Sequence, residues 1–234
     1  MKKYISILIL SVLLMSVFVG CTEEAKGNVI ATVDGEKITE EEINDRIEYM
    51  EISEKLYTGD TETKTDFTKN DAFNQLVREK VLNKEAKNLG YEVKTKSEIM
   101  EMIEESQNET DINNVEPQIK ENLNEKYGDT EEFEEEILKE YGYSSMENFY
   151  KENVDMLGSN FLISELVAKY NIELEKELEK EDMSYEIQST KIQESFTNYT
   201  EHLLKNSDIK ILDDDYSIKY YGDEWEYKDL NLKK

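Results

Sequence analysis

The sequence has one cysteine, one proline, one histidine and nine glycines in 234 residues. A single cysteine excludes an intrachain disulfide. A single histidine, His202, excludes a multi-histidine zinc site and leaves little basis for His-dependent hydrolysis. With so few chain breakers, a loop-rich β fold is disfavoured. Positive charge is scarce as well. Lys and Arg number 28 against 55 Asp and Glu, a formal net charge of −27. That balance opposes nucleic-acid binding, which needs a basic footprint, and electrostatic docking on anionic lipid. It favours solubility and repulsion between copies. No cofactor and no metal site are expected.

Hydrophobic residues make up 38% of the chain and charged residues 35%. Leu, Ile, Val, Phe and Tyr nevertheless recur at helical spacing along most of it, which predicts a mainly α-helical protein with a thin core. The length suits one or two domains.

Met1-Lys2-Lys3 is a positive start, and Tyr4–Val19 is an apolar run interrupted only by Ser6, Ser11 and Ser16. About 16 residues fall short of the roughly 20 a spanning helix needs, so 1–20 is expected to be a secretory signal. It ends Phe18-Val19-Gly20-Cys21, which resembles a bacterial lipobox with Phe18 in place of the usual leucine. The expectation is cleavage before Cys21 and lipid attachment on its thiol. Two or more acyl chains hold a protein stably on a membrane. Residues 21–28 then form a polar tether, and the protein works on the outer face of the cell membrane.

The stretch Val29–Tyr49 reads as strand, turn and helix start. Val29–Val33 is β-branched and apolar, and Asp34-Gly35 readily supplies positive φ for a tight turn. Thr39 with Glu42 forms a capping box, and Ile43 and Ile47 share one face. That helix is expected to end near Tyr57, and a polar loop to cover Thr61–Asn70. A second helix is expected from about Asp71 to Leu89, with a stripe of Phe73, Leu76, Val77, Val81, Ala86 and Leu89 and Gly90 as its C-terminal cap. Tyr91–Val93 reads as a short extended segment. Thr95 with Glu98 caps a helix through Ile99, Met102 and Ile103, before a loop at Gln107–Asn114. Pro117 sits near a helix start whose stripe, Ile119, Leu123 and Tyr127, runs to Gly128. Asp129 with Glu132 caps the next helix, with Phe133, Ile137, Leu138 and Tyr141, and Gly142 ends it. Ser144 with Glu147 caps one long helix running from Met146 through Phe149, Val154, Phe161 and Leu166 to Tyr170. Ser189 or Thr190 starts a last helix with Ile192, Phe196, Tyr199, Leu203 and Leu204. Asp208–Leu212 is a short strand.

Four strings among these elements resemble the SurA/PrsA-type extracytoplasmic chaperone and foldase family: Val29–Tyr49, Phe73–Val93, Tyr127–Val154 and Tyr199–Leu212. The resemblance implies a SurA N-terminal-type helical domain over 29–212, completed by the closing helix and strand, with Ile209–Leu212 beside Val29–Val33. Many members carry a parvulin-type prolyl isomerase domain before the final helix. Here only Glu173–Gln188 lies in that interval, against the roughly 50 residues a domain needs. The chain has one histidine and no Gly-Gly, so the isomerase module and its activity are expected to be absent.

The resemblance implies a holdase for unfolded or newly exported polypeptides. Fifteen Tyr, seven Phe and eight Met exceed what a thin core readily buries, and adaptable apolar side chains suit promiscuous recognition. A dedicated adaptor for one envelope partner and a residual prolyl isomerase are the alternatives. His202 reads as a surface or partly packed residue. Asp213-Asp214-Asp215 lacks the spacing of a calcium loop. In the tail, 213–234, Tyr216, Tyr220, Tyr221, Trp225 and Tyr227 suit a last strand, packing on the bundle or a partner surface, and the sequence does not choose among them.

Overall fold

The computed structural model describes residues 27–58, 67–109, 130–178, 185–221 and 230–233. The signal, Cys21, Pro117, the stripe from Ile119 to Tyr127, the Asp129 cap, Trp225 and Tyr227 lie outside them.

The chain enters as a hairpin, β1 (Val29–Val33) and β2 (Glu36–Thr39). Asp34 and Gly35 at the turn have φ of 51° and 90°. Two successive positive φ values make a type I′ turn, whose twist matches that of the flanking strands. β3 (Ile209–Ile211) pairs antiparallel with the other edge of β1, Ala31 opposite Ile211 and Val33 opposite Ile209. The sheet order is β2-β1-β3, so β1 is its centre, and Ala31 and Val33 are wholly enclosed. The expected pairing of the two chain regions is present, with a strand two residues shorter than expected.

Helix α1 (Glu40–Thr58) follows at once. The Thr39 amide donates to Glu42 Oε2 at 2.7 Å and the Glu42 amide to Thr39 Oγ1 at 3.2 Å, the expected capping box. α2 (Lys69–Asn88) starts two residues before its expected position. Its cap is Thr68, whose hydroxyl accepts from the Asp71 amide at 3.1 Å while Asp71 Oδ2 accepts from the Thr68 amide at 3.1 Å. An aspartate closes the box where the usual signature has Glu or Gln. At the other end Gly90 takes φ of 92°, and the Tyr91 amide donates to Ala86 O at 3.0 Å, a Schellman closure. Tyr91–Val93 forms no strand. Tyr91 is instead a buried core residue.

α3 (Lys96–Glu109) starts at the expected Thr95–Glu98 box and runs through Gln107–Glu109, where a loop was expected. α4 (Thr130–Glu140) ends at Gly142, φ 88°. α5 (Met146–Glu152) is capped by Ser145, not Ser144. The Asn148 amide donates to Ser145 Oγ at 3.2 Å, and Asn148 Oδ1 takes the Ser144 amide.

The single long helix expected from Met146 is two. Asn153 Nδ2 donates to Phe149 O at 2.9 Å, a local side-chain bond that competes with the helical ladder. The chain turns there before α6 (Val154–Leu178). α6 also outruns its expected end at Tyr170, because Leu174 and Leu178 are buried as well. α7 (Tyr185–Asn206) begins four residues before Ser189.

The buried residues of α6 are Val154, Gly158, Leu162, Leu166, Tyr170, Leu174 and Leu178, a strict spacing of four. Four residues overshoot one helical turn by about 40°, so the stripe winds around the helix. Val154 therefore faces Ile99 and Ile103 of α3, whereas Leu166 to Leu178 face α2, Tyr91 and α7. At Gly158 a β-carbon would sit 2.7 Å from Ile99 Cδ1. Glycine at this position leaves room for the tip of the Ile99 side chain.

Helix α2 joins two cores. Phe73, Val77 and Val81 pack with the sheet, Ile43 and Leu204, and Leu82 and Ala86 pack with α6 and α7. The tail docks on the bundle. Tyr216 packs against Phe73 at 5.3 Å between ring centroids, and Leu232 is buried beside Tyr91, whose hydroxyl donates to Leu232 O at 3.2 Å. Asp213-Asp214-Asp215 is a turn in which Asp213 Oδ1 accepts the Asp215 amide.

Asp71 ties the cap of α2 to the tail through Lys219 at 2.5 Å. The Lys219 ammonium, then Thr68, hold its carboxyl down at about 2, against an ordinary 3.8. A depressed folded pKa adds stability that is complete above the unfolded value and is lost as pH falls through the folded one. The Asp71→Asn variant is therefore expected to be less stable than wild type at pH 6. The gap should close as pH falls from about 4 to 2, measured by urea unfolding at each pH.

Candidate functional site

The aromatic surplus does not spread evenly. Tyr170, Tyr199, Phe73 and Tyr216 are core residues. A second group gathers where α1, α4 and α5 meet. Ile52, Ile137 and Leu138 form its floor, wholly enclosed, and Phe149 stands on it at 3% exposure. Around them Tyr49, Leu56, Tyr141, Tyr143, Met146 and Tyr150 are half-buried.

The elements that carry them explain the grouping. Tyr49, Ile52 and Leu56 lie at intervals of three and four on α1, one apolar face. Gly142 turns the chain sharply after α4, so Tyr141 and Tyr143 are delivered beside α1. The Ser145 cap starts α5 directly afterwards and turns Phe149 inward. Phe149 stacks on Tyr49 at 5.6 Å with rings 8° apart, meets Tyr143 edge-on at 5.0 Å, and lies 5.8 Å from Tyr150. Such arrangements follow the ring quadrupoles and add roughly 0.5–1.5 kcal/mol per pair beyond area.

Tyr150 also packs against the next cluster, Ile99, Ile103 and Val154 with half-buried Met100, Leu157 and Phe161. The two groups therefore make one apolar belt of rings and thioether side chains. Its rim is acidic. The Tyr143 hydroxyl donates to Glu48 at 3.0 Å, and its pKa is raised, first by burial and then by Glu48, against an opposing bond to Asn153. Lys55 lies 4.9 Å over the Tyr141 ring and bonds Glu140 at 3.2 Å. The Tyr141 hydroxyl and, after it, Glu140 hold the Lys55 ammonium above its ordinary value against burial.

The belt offers rings, methionines and a negative rim, side chains of a kind that can adapt to apolar groups in many orientations. His202 is exposed on α7, with Nε2 at 3.2 Å from Asn206 Nδ2. No group of three His, Cys, Asp or Glu side chains converges as a metal site among the described residues. Cys21 lies outside those residues.

The family model described as the SurA-like N-terminal domain matches residues 1–142. The chain belongs to that family. No curated protein and no solved structure matches it. A SurA-like chain is chaperone-type, and SurA-like domains bind unfolded client polypeptides. The match ends at Gly142, immediately after α4. The belt is thus built from both sides of that boundary, with Tyr49 and Ile137 inside the matched region and Phe149 and Tyr150 beyond it. The Thr39–Glu42 box marked the start of α1 and Gly142 the end of α4, whereas α5 was expected to be capped one residue earlier and to be part of a longer helix. Nothing local in the sequence marked α1 as the neighbour of α5.

Proposed function

We propose that this SurA-like chain is a membrane-tethered, extracytoplasmic holdase for newly exported polypeptides, anchored by lipid on Cys21 and without prolyl isomerase activity. The observation that carries the holding role is the half-covered belt around Phe149. A packed core would enclose such rings, whereas here six side chains around it stay half open. An extended client lays apolar side chains on the belt, and the net charge of −27 keeps loaded copies apart. The lipidated cysteine places this surface beside the membrane where export delivers clients, and two acyl chains make that attachment stable. The single histidine and the short interval at Glu173–Gln188 support the absence of isomerase chemistry.

The test uses light scattering. An unfolded, aggregation-prone protein is diluted from denaturant into buffer with the chain from residue 21, carrying Cys21→Ser. Suppression is expected at near-stoichiometric ratios. The Tyr143→Ser/Tyr150→Ser variant should need roughly fivefold more protein for the same effect, at about 1 kcal/mol or less per lost ring contact. Absence of suppression with both an acidic and a basic client would end the holdase reading in favour of a dedicated adaptor. A proline-peptide isomerisation assay is expected to show only the uncatalysed rate, and saturable acceleration would restore the isomerase.

A further inference from the structure

Asn74 is a polar residue buried to 3% exposure in the apolar centre of α2. Its amide is engaged on both sides by one stretch of tail. Nδ2 donates to Ser217 O at 2.9 Å, and Oδ1 accepts the Lys219 amide at 2.6 Å. One turn earlier, Asn70 Oδ1 accepts the Ser217 amide at 2.8 Å. One turn later, Arg78 Nη2 donates to Lys219 O at 2.5 Å. Both main-chain groups of residue 217 and both of residue 219 are thus taken by side chains of α2.

This is the hydrogen-bond pattern of a sheet edge, with a helix in place of the partner strand. Four residues of α-helix rise about 6.0 Å, and two residues of strand span about 6.6 Å. Side chains at 70, 74 and 78 therefore keep step with alternate residues of an extended chain. The four main-chain bonds use neither the Ser217 nor the Lys219 side chain, both exposed, although the Lys219 ammonium adds an ion pair to Asp71 of α2 at 2.5 Å. Selection comes from the alternate positions. Tyr216 is buried against Phe73, and Ile218 packs half-buried on the same cluster. The Arg78 guanidinium is positioned by Glu201, 5% exposed, at 2.9 Å, and Tyr221 covers it at 4.5 Å.

We propose that Asn70, Asn74 and Arg78 form a receptor for extended polypeptide main chain, that residues 216–221 are its resident occupant, and that a client segment displaces them. The segment it takes carries an aromatic or large apolar residue followed two positions later by another apolar one. This rests on the client-binding reading and assigns it a second contact, separate from the belt. The resident segment competes from within the same chain, at an effective concentration that linkage sets near the millimolar range. Weakly exposed or folded proteins do not displace it, whereas clients held at high local concentration do.

The closing experiment uses the full chain and two probes. The first is a fluorescent synthetic peptide copying residues 214–221, followed by anisotropy. The Tyr216→Ala variant, with a weakened resident segment, should bind it at least about tenfold tighter than wild type, since truncating a buried ring costs more than that factor. Adding Asn74→Ala should reverse the gain, because the peptide's main-chain groups lose their partners. A scrambled peptide should bind tenfold more weakly. Equal binding to wild type and Tyr216→Ala, or indifference to Asn74→Ala, overturns the proposal.

The second probe is a reduced, alkylated protein that stays unfolded. Its addition to wild type should accelerate amide exchange at Ser217 and Lys219. If it binds and suppresses scattering while both amides stay protected, the receptor proposal fails and the holdase reading stands. If it does not bind, the holdase reading fails, and the peptide measurement still decides whether the receptor exists.

Discussion

Replacing Tyr170 by alanine is expected to destabilise the chain by about 3–5 kcal/mol, the largest loss for any single side chain in the α6–α7 half. Tyr170 is wholly enclosed. Its ring stacks on Tyr199 at 5.2 Å and meets Phe196 edge-on at 5.3 Å. Its hydroxyl lies 2.6 Å from Ser195 Oγ and 3.2 Å from Ser195 O. Truncation removes the ring, opens a cavity between two helices and strips Ser195 of a partner. For a protein of this size the midpoint of thermal unfolding should fall by roughly 6–20 °C. Tyr170→Phe separates the contributions. It keeps the ring contacts and loses only the hydroxyl, so about 0.5–1.5 kcal/mol is expected. Thermal melts of the two variants that agreed within a degree would show that the hydrogen bond, not the packing, holds α6 to α7.

Replacing Arg46 by methionine is expected to cost about 3–5 kcal/mol, for a different reason. Arg46 on α1 and Glu79 on α2 form an ion pair with side chains only 9% and 14% exposed. Removing the cation leaves a carboxylate in a site that water barely reaches. The pair as a whole contributes much less, because taking both charges out of water offsets most of their attraction. Arg46→Met combined with Glu79→Leu should therefore recover most of the loss, to within about 1 kcal/mol of wild type. Urea unfolding of the two single variants and the double variant gives the coupling directly. A double variant as unstable as the sum of the singles would mean that the two residues act independently. In a chain so poor in positive charge, Arg46, Lys55 and Arg78 are notable for their positions. Each is largely shielded from water and each is paired with an acid, so cations join helices that carry mostly negative charge.

The hairpin shows how far local chemistry reaches. Asp34-Gly35 admits the positive φ that a type I′ turn requires, and Thr39 with Glu42 completes a cap within four residues. Such signals depend only on neighbours, so they can be read from the letters. Where several local partners compete, the reading slips. Ser144 and Ser145 are both capping residues, and the choice between them is made by Asn148, which uses its amide side chain on one and its backbone on the other. At Asn153 the periodicity of apolar residues runs on unbroken while the backbone turns, since a pattern of burial does not report a side chain bonding its own helix.

By itself the sequence determined the helical class, the caps at Thr39 and Thr95, the stops at Gly90 and Gly142, the tight turn and the acidic balance of charge, because each follows from composition or from residues within a few positions of one another. That the closing strand pairs with the opening one was legible only through resemblance to a family. Tertiary structure alone decided which faces became core and which became the belt around Phe149. It also decided that Asn74, an unremarkable polar residue in an apolar stripe, meets main chain more than 140 residues away. Contacts between distant segments depend on how whole faces fit together, and no short-range pattern encodes that fit.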